Sequence, residues 1–288
     1  MAATAPSAPE NSELQRFRRA QRLAYDCASA AVAMMKPGMT EREVAKFMKG
    51  WLLDHGVKEW FHQPFAWFGD RTAFRGFGGF HPGFFPTGRR LEPNMPFILD
   101  CAPSVDGAVG DIGYSGCLGE NAALDLLMDD LAAHRALIVK LVKERRSMAE
   151  VSRAVDALCM KQGVEPRHKA YPFSVLAHRV SALDPQKRSF NLMRFGTKAL
   201  SGLASDARKG RGEGWSPLWS SAKRSDHAPV VGFWAVEPHL GFRGVGAKFE
   251  EILVITDHDA YWLDDDLPHV KRWNERQKSA TLGAVQGP

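Results

Sequence analysis

Residues 97–114 read FILDCAPSVDGAVGDIGY, and this stretch decides the fold more than any other part of the chain. Its apolar start predicts a buried strand that ends in the carboxylate of Asp100. Asp106 and Gly107 are a favoured turn pair, so a hairpin is expected around them. Asp111 lies across that turn, and the two carboxylates can face one point from adjacent strands. Such carboxylates repel each other unless a cation lies between them, although an aspartate at a strand end is also common as a capping or turn residue.

Three further candidate ligands lie beside apolar segments in the second half of the chain. Glu237 follows the apolar run 231–236, Glu250 opens the run 251–256, and His178 ends the run that begins at Phe173. Each has an ordinary explanation, either strand-end solvation for the glutamates or a core hydrogen bond for the histidine. Five oxygen and nitrogen donors, each beside a separate apolar segment, favour a centre for Mn, Fe, Co or Zn.

The remaining pattern predicts an α+β chain in a single domain. Helices are expected at about 12–35, 40–55, 121–144 and 147–162, and strands at 173–177, 230–236 and 249–256. Thr40 with Glu43 and Ser147 with Glu150 have the spacing of capping boxes at two of the helix starts. The Phe- and Gly-rich stretch 61–85 suits short strands and loops around a pocket, or a hydrophobic patch that binds a partner.

The domain boundaries follow from composition. Residues 1–12 are rich in Ala, Pro and Ser and are expected to form a disordered lead. Residues 13–270 are expected to form the single folded domain, and residues 271–288 a loose tail. Within the domain, residues 179–224 hold ten Lys or Arg among many Gly and Ser, which predicts a loop-dominated insertion that covers the mouth of the site.

Composition also narrows the setting and the partners. Apolar residues make up 44% of the chain and charged residues 25%, as in soluble globular proteins. Four cysteines without CxxC spacing argue against a zinc ribbon and favour a reduced, cytoplasmic location. The sequence has no apolar run of membrane-spanning length and no secretory signal, so no membrane partner is expected. The net charge of +5 is mild, and the basic residues of 179–224 have no regular spacing and few aromatic neighbours that could stack on bases, so no nucleic-acid partner is expected.

Four motifs together resemble one known family. Residues 36–44 (KPGMTEREV) are similar to a helix-connecting motif of the pita-bread metallopeptidases, which include methionine aminopeptidase, aminopeptidase P and prolidase, with creatinase as a non-peptidase relative. The aspartates of 97–114, the Val-Glu-Pro of 236–238 and the strand 246–256 (GAKFEEILVIT) resemble the other three motifs in the family's order. The resemblance covers roughly residues 17–263.

The resemblance implies a pita-bread fold, with curved antiparallel sheets and helices packed outside. It also implies two divalent metal ions, whose ligands would be Asp100, Asp111, His178, Glu237 and Glu250. Glu237 and His81 would then be catalytic, and His81 would contact substrate as well. The sequence around His178 departs from the family pattern, and the second histidine that usually follows it is absent. His227 is the best replacement, and Arg179 or Arg194 would pair with a substrate carboxylate.

The activity that the resemblance favours is metal-assisted amide hydrolysis by an Xaa-Pro aminopeptidase-like enzyme. Methionine aminopeptidase and a creatinase-like C–N hydrolase are the alternatives within the family. A pita-bread module that binds peptides or proteins without catalysis is the alternative from another class. The expected partners are a peptide or small amide substrate and a second copy of the chain in a homodimer, and manganese is the first metal to test.

Overall fold

Six α-helices lie along the chain in the computed structural model, which describes residues 11–79, 81–184 and 186–285, and only the backbone from 280 onward. They are α1 (Asn11–Met34), α2 (Glu41–Asp54), α3 (Ala122–Lys143), α4 (Met148–Gln162), α5 (Thr197–Glu213) and α6 (Pro268–Val285). No helix in this part of the chain is both long and apolar enough to cross a lipid bilayer.

The strands form three antiparallel sheets. They are β1 (Glu59–Phe68), β2 (Pro96–Val105), β3 (Ala108–Val109), β4 (Ile112–Cys117), β5 (Glu165–Pro166), β6 (Ala177–Val180), β7 (Asn191–Leu192), β8 (Phe195–Gly196), β9 (Leu218–Trp219), β10 (Gly232–Val236), β11 (His239–Phe242), β12 (Val245–Lys248), β13 (Glu251–Ile255) and β14 (Ala260–Trp262). The first sheet has the order β3-β2-β1-β8-β7 with β4 also on β2, the second β14-β13-β10-β6-β9, and the third β12-β11-β5.

The turn chemistry at the element ends is as predicted. Both capping boxes are present, with Glu43 accepting from the Thr40 amide and Glu150 from the Ser147 amide. The turn between β2 and β3 has positive φ at both central residues, 48° at Asp106 and 80° at its following glycine. That geometry matches the twist of the flanking strands, so the expected hairpin forms here.

The core lies between the sheets and the helices outside them. Phe17 of α1 stacks on Phe233 of the second sheet with ring centroids 3.9 Å apart. The α1 backbone also approaches the first sheet closely, since a Cβ on Gly110 would lie 2.3 Å from the backbone of Ala20. Because α1 packs on both sheets, it holds them against each other and fixes the space between their edges.

Three strand predictions are wrong in their bounds. Strand β2 continues to Val105, so Asp100 lies in its middle rather than at its end. The strand expected at 173–177 starts only at Ala177, because Phe173 and Ser174 have positive φ values of 63° and 53°, which a strand cannot contain. The aromatic stretch from residue 61 begins inside one ten-residue strand, β1, instead of several short ones.

Helices also replace two segments that were expected to be irregular. The insertion contains α5, so the prediction of a loop-dominated excursion is wrong; its Lys198 is buried and its Nζ lies 2.5 Å from Glu59 Oε1. The tail forms α6, where Trp273 Nε1 donates to the Met128 carbonyl at 2.6 Å, a contact that sequence periodicity does not reveal. Of the predicted disordered lead, residues 11–12 are helical and residues 1–10 lie outside the described part.

Candidate metal centre

Strand register brings the predicted ligands to one point between the first two sheets. Asp100 on β2 pairs with Gly113 on β4, and Gly113 in turn forms a bridge with Glu250. In the second sheet His178 on β6 pairs with Ala235 on β10. Glu237 follows β10 directly, and its amide donates to the Leu176 carbonyl at 2.9 Å, which turns it toward the same point.

All five predicted ligands converge. Their buried side chains fall into groups whose donor atoms lie within 4.8 Å of one another. The groups are His62 with Asp100 and Asp111, Asp111 with His178 and Glu250, and Asp100 with Glu237 and Glu250. The altered sequence around His178 therefore does not displace its ring, since its Nε2 lies 3.1 Å from Asp111 Oδ2.

His62 belongs to the cluster and was not predicted. Its Nε2 lies 3.1 Å from Asp100 Oδ1 and 3.2 Å from Asp111 Oδ1. It is a polar residue within an otherwise strongly aromatic strand, and that contrast is the signal that the sequence contains. The signal is weak, because irregular pairing of β1 with β2 around this residue disturbs the side-chain alternation.

Lys248 is the second residue that was missed, and it lies at the centre of the cluster. Its Nζ donates to Asp100 Oδ2 at 2.6 Å, to Glu237 Oε2 at 2.8 Å and to Glu250 Oε2 at 2.8 Å. The side chain is fully buried, at 0% exposure. A lysine two residues before Glu250 in an apolar run is a visible signal, since a buried ammonium requires anionic partners.

With this geometry established, comparison with known proteins identifies the family. The sequence matches the profile of metallopeptidase family M24 over residues 15–257. The chain belongs to metallopeptidase family M24. Among curated proteins, an uncharacterized peptidase of Staphylococcus aureus is 32% identical over 88 residues, which are 31% of this chain and 23% of that protein.

Solved structures agree on the fold. An X-Pro aminopeptidase from Thermotoga maritima superposes with a TM-score of 0.66 at 15% identity, covering 91% of this chain and 63% of that one. A prolidase from Pyrococcus furiosus gives 0.62 at 16% identity, with 89% and 64% covered. An Xaa-Pro dipeptidase from Bacillus anthracis gives 0.62 at 16% identity, with 89% and 61% covered. The M24 chain thus spans less than two thirds of each of these structures, and the predicted pita-bread fold is confirmed.

Electrostatics in the M24 cluster follow from burial and close charges. Burial opposes ionisation of Asp111, but His62 and His178 outweigh it and hold the pKa of that carboxyl below its ordinary value. Burial would lower the pKa of His62, yet the two aspartates raise it well above its usual range. Burial, reinforced by Asp111 and Glu237, raises the pKa of Glu250 well above normal. Positive neighbours thus favour the ionised form of Asp111 and negative neighbours oppose that of Glu250, so a cation at this point would favour ionisation of both carboxyls.

Three other predicted residues lie outside the cluster. His81 is exposed, and its Nδ1 accepts from the Gly83 amide at 2.9 Å. His227 is held by backbone groups, with Nε2 3.0 Å from the Ser216 amide. Arg179 lies on β6 at the start of the insertion, and its Nη1 is 3.0 Å from Asp206 Oδ2.

Arg194, the alternative to Arg179 as a partner for a substrate carboxylate, is also held by protein atoms. Its Nη2 donates to the Pro64 carbonyl at 2.5 Å, and its guanidinium lies over the ring of Phe65. The structure thus gives both arginines partners within the chain.

The donor set fits a divalent transition metal on the Asp111 side. Asp111, His178 and Glu250 offer two carboxylates and an imidazole, a combination that suits Mn, Fe, Co or Zn. Beside them Asp100 Oδ1 is a buried carboxylate oxygen whose close partner is His62 Nε2 at 3.1 Å, so this oxygen also faces the cluster. On the other side, the group of Asp100, Glu237 and Glu250 already surrounds Lys248.

Proposed function

We propose that this M24 member is a metal-dependent amide hydrolase that removes an N-terminal residue, with Xaa-Pro peptides as its substrate class. The observation that carries the proposal is the convergence of Asp111, His178 and Glu250 on one buried point beside Glu237. The names of the superposed structures, X-Pro aminopeptidase, prolidase and Xaa-Pro dipeptidase, support the choice of substrate class.

The ligands on the Asp111 side would hold the metal. A divalent ion bound there supplies Lewis acidity, which polarises a carbonyl and lowers the pKa of bound water. Glu237 is the adjacent carboxylate at the end of β10, and we assign it the transfer of a proton from water to the leaving amine. The Lys248 ammonium donates a hydrogen bond to Glu237 Oε2 at 2.8 Å and so holds this carboxylate in place.

An aromatic wall beside the cluster fits an apolar or proline side chain. Phe61 stacks on the His178 ring with centroids 4.7 Å apart. Phe195, contributed by the insertion, lies 5.8 Å from the His62 ring and 6.2 Å from Phe65. Apolar surface next to a few convergent polar groups is typical of small-ligand sites. We therefore assign the insertion, through Phe195, a part of the proposed substrate site.

Of the three residues that the sequence suggested for polar contacts to substrate, we keep only His81 in that role. His81 is exposed, and we propose that it donates a hydrogen bond to bound substrate. His227 and Arg179 have protein partners, so we assign them supporting roles. The cysteines Cys27, Cys101, Cys117 and Cys159 are free, which supports the proposal of a reduced, cytoplasmic setting.

A substrate screen tests the proposed function. Purified protein with added Mn, Co or Zn is assayed on Met-Xaa peptides, on Xaa-Pro peptides and on creatine, with Asp111→Asn as the inactive control. We expect hydrolysis of Xaa-Pro peptides that requires metal and Asp111. Hydrolysis confined to the Met or creatine substrates would replace the substrate class, and no hydrolysis by metal-loaded protein would favour a binding module.

A further inference from the structure

The Lys248 ammonium lies where a second divalent ion would bind. Its three acceptors, one oxygen each from Asp100, Glu237 and Glu250, are 2.6 to 2.8 Å away. The same three residues form one of the cluster's three ligand groups. A metal ion bonds to carboxylate oxygens at about 2.0–2.2 Å, so an ion shared by these oxygens would coincide with the ammonium. The two cations exclude each other from this position.

The fold gives the lysine little room to withdraw. Its stem runs against the backbone of Gly113, where a Cβ would lie 2.1 Å from Lys248 Cε. On another side its Nζ lies 5.2 Å from the centre of the Tyr171 ring. Ser115 fixes the lysine backbone from both sides, because its Oγ donates to the Lys248 carbonyl at 2.7 Å and accepts from the Lys248 amide at 2.8 Å.

The ammonium also supplies part of the positive charge that a second metal ion would bring to the buried carboxylates. Four buried carboxylates, those of Asp100, Asp111, Glu237 and Glu250, surround the centre. Carboxylates buried together require compensating positive charge. The Lys248 ammonium provides this positive charge and, unlike a bound metal ion, cannot dissociate into solvent. The ammonium does not occupy the group of Asp111, His178 and Glu250, which remains available to a metal ion.

We propose that Lys248 takes the place of one metal ion, so that the chain binds a single divalent ion at Asp111, His178 and Glu250. The ammonium then acts as a positioning residue that holds Asp100 and Glu237 in orientation. This inference rests on the proposed function, since it presupposes the metal centre. The inferred number of metal ions is one, whereas the sequence resemblance implies two. The inference also gives a role to Lys248, which lies within the 246–256 motif but to which the resemblance assigned none.

Metal stoichiometry tests the inference without an activity assay. Wild-type protein, Lys248→Met and Lys198→Met are saturated with Mn²⁺, freed of excess metal and analysed for bound manganese per chain. Lys198 is the matched control, because it is also a buried lysine with a carboxylate partner, Glu59, but lies outside the cluster. We expect one ion in wild type and in Lys198→Met, and two in Lys248→Met.

Electron paramagnetic resonance of the same samples gives a second readout. A lone Mn²⁺ ion in wild type should give an uncoupled spectrum, whereas two ions about 3.5–4 Å apart in Lys248→Met should be magnetically coupled. Two ions in wild type, or one ion in both wild type and Lys248→Met, would overturn the inference while leaving the proposed function in place. Because wild type alone distinguishes one ion from two, the test survives a Lys248→Met protein that fails to fold. No ion in wild type would instead refute the metal centre itself.

Discussion

Nε2 of His178 lies 3.1 Å from Oδ2 of Asp111, although 67 positions of sequence separate the two residues. The contact joins β6 of the second sheet to the segment that precedes β4 of the first. It identifies the histidine as a cluster member even though the sequence around it departs from the family pattern.

Replacing His178 with Ala should weaken metal binding, because it removes the only nitrogen in the group with Asp111 and Glu250. We expect the Kd for Mn²⁺ to rise by more than the roughly 10–100-fold typical of losing a residue that only orients a ligand. Isothermal titration calorimetry measures this directly. His227→Ala, outside the cluster, is the control, and an unchanged Kd in His178→Ala would exclude the histidine from the ligand set.

Replacing Glu237 with Gln should abolish most turnover while part of the metal affinity remains. The amide keeps an oxygen near Lys248 but accepts no proton, so kcat should fall by at least about 100-fold, as for loss of a general base. Steady-state kinetics at saturating metal gives the number. If metal-replete Glu237→Gln turns over at the wild-type rate, Glu237 has no part in proton transfer.

The five candidate ligands could be selected from the sequence because each one lies in a motif or beside an apolar run. His62 lies in no motif, and Lys248 lies inside the 246–256 motif but is not one of the residues to which the resemblance gives a role. His62 reaches the cluster only through the irregular pairing of β1 with β2. Lys248 reaches it because Gly113, on another strand, leaves space for its stem. Such features depend on strand register and close backbone approach, which no local pattern encodes.

Helix α2 also contains a residue whose structural role could not be predicted from the sequence. Its capping pair Thr40 and Glu43 was predicted from spacing, whereas the buried role of Glu41 between them was not. The Glu41 carboxylate accepts from the Phe68 amide at 2.9 Å, from Arg71 Nε at 2.7 Å and from the Thr87 amide and hydroxyl at 2.7 Å each. These partners are 27 to 46 positions away, so only the folded chain reveals them.

Replacing Glu41 with Gln should therefore destabilise the protein substantially. The change leaves the Arg71 guanidinium without its carboxylate and gives Thr87 and Phe68 a poorer acceptor. Breaking a buried ion pair costs about 3–5 kcal/mol. Urea unfolding followed by circular dichroism measures the loss in free energy of unfolding. Glu43→Gln, on the exposed side of the same helix start, should lose much less free energy of unfolding. Equal losses in the two variants would show that the buried hydrogen bonds of Glu41 add no more stability than the exposed capping box.

His134 should make the folded protein less stable in mild acid. It is buried in α3, where burial lowers its pKa to about 4 although Gln162 Oε1 lies 2.7 Å from its Nε2. The unfolded chain, with a pKa of about 6.5, binds the proton first. Stability from this group is therefore complete above pH ~6.5 and is lost as pH falls toward the folded value, by up to about 3 kcal/mol.

Urea unfolding between pH 7 and pH 4 tests this dependence. His134→Gln, which cannot titrate, should lose less stability over that range than wild type, while His258→Gln, at an exposed turn, should follow wild type. Parallel curves for wild type and His134→Gln would show that the histidine is protonated equally in both states.

The last prediction concerns the insertion, whose Phe195 ring forms part of the aromatic wall near His62. Deleting the whole segment would also remove Lys198 and its buried ion pair with Glu59, which could destabilise the fold. A single substitution therefore distinguishes an effect on substrate binding from an effect on folding. Phe195→Ala should raise KM for an Xaa-Pro substrate by about 10-fold or more, the effect of losing apolar pocket contacts, with a smaller change in kcat. Phe190, 67% exposed on the same insertion, supplies the control Phe190→Ala, which should leave KM unchanged. Because both variants remove a phenyl ring from one segment, equal KM values would mean that Phe195 does not contact substrate.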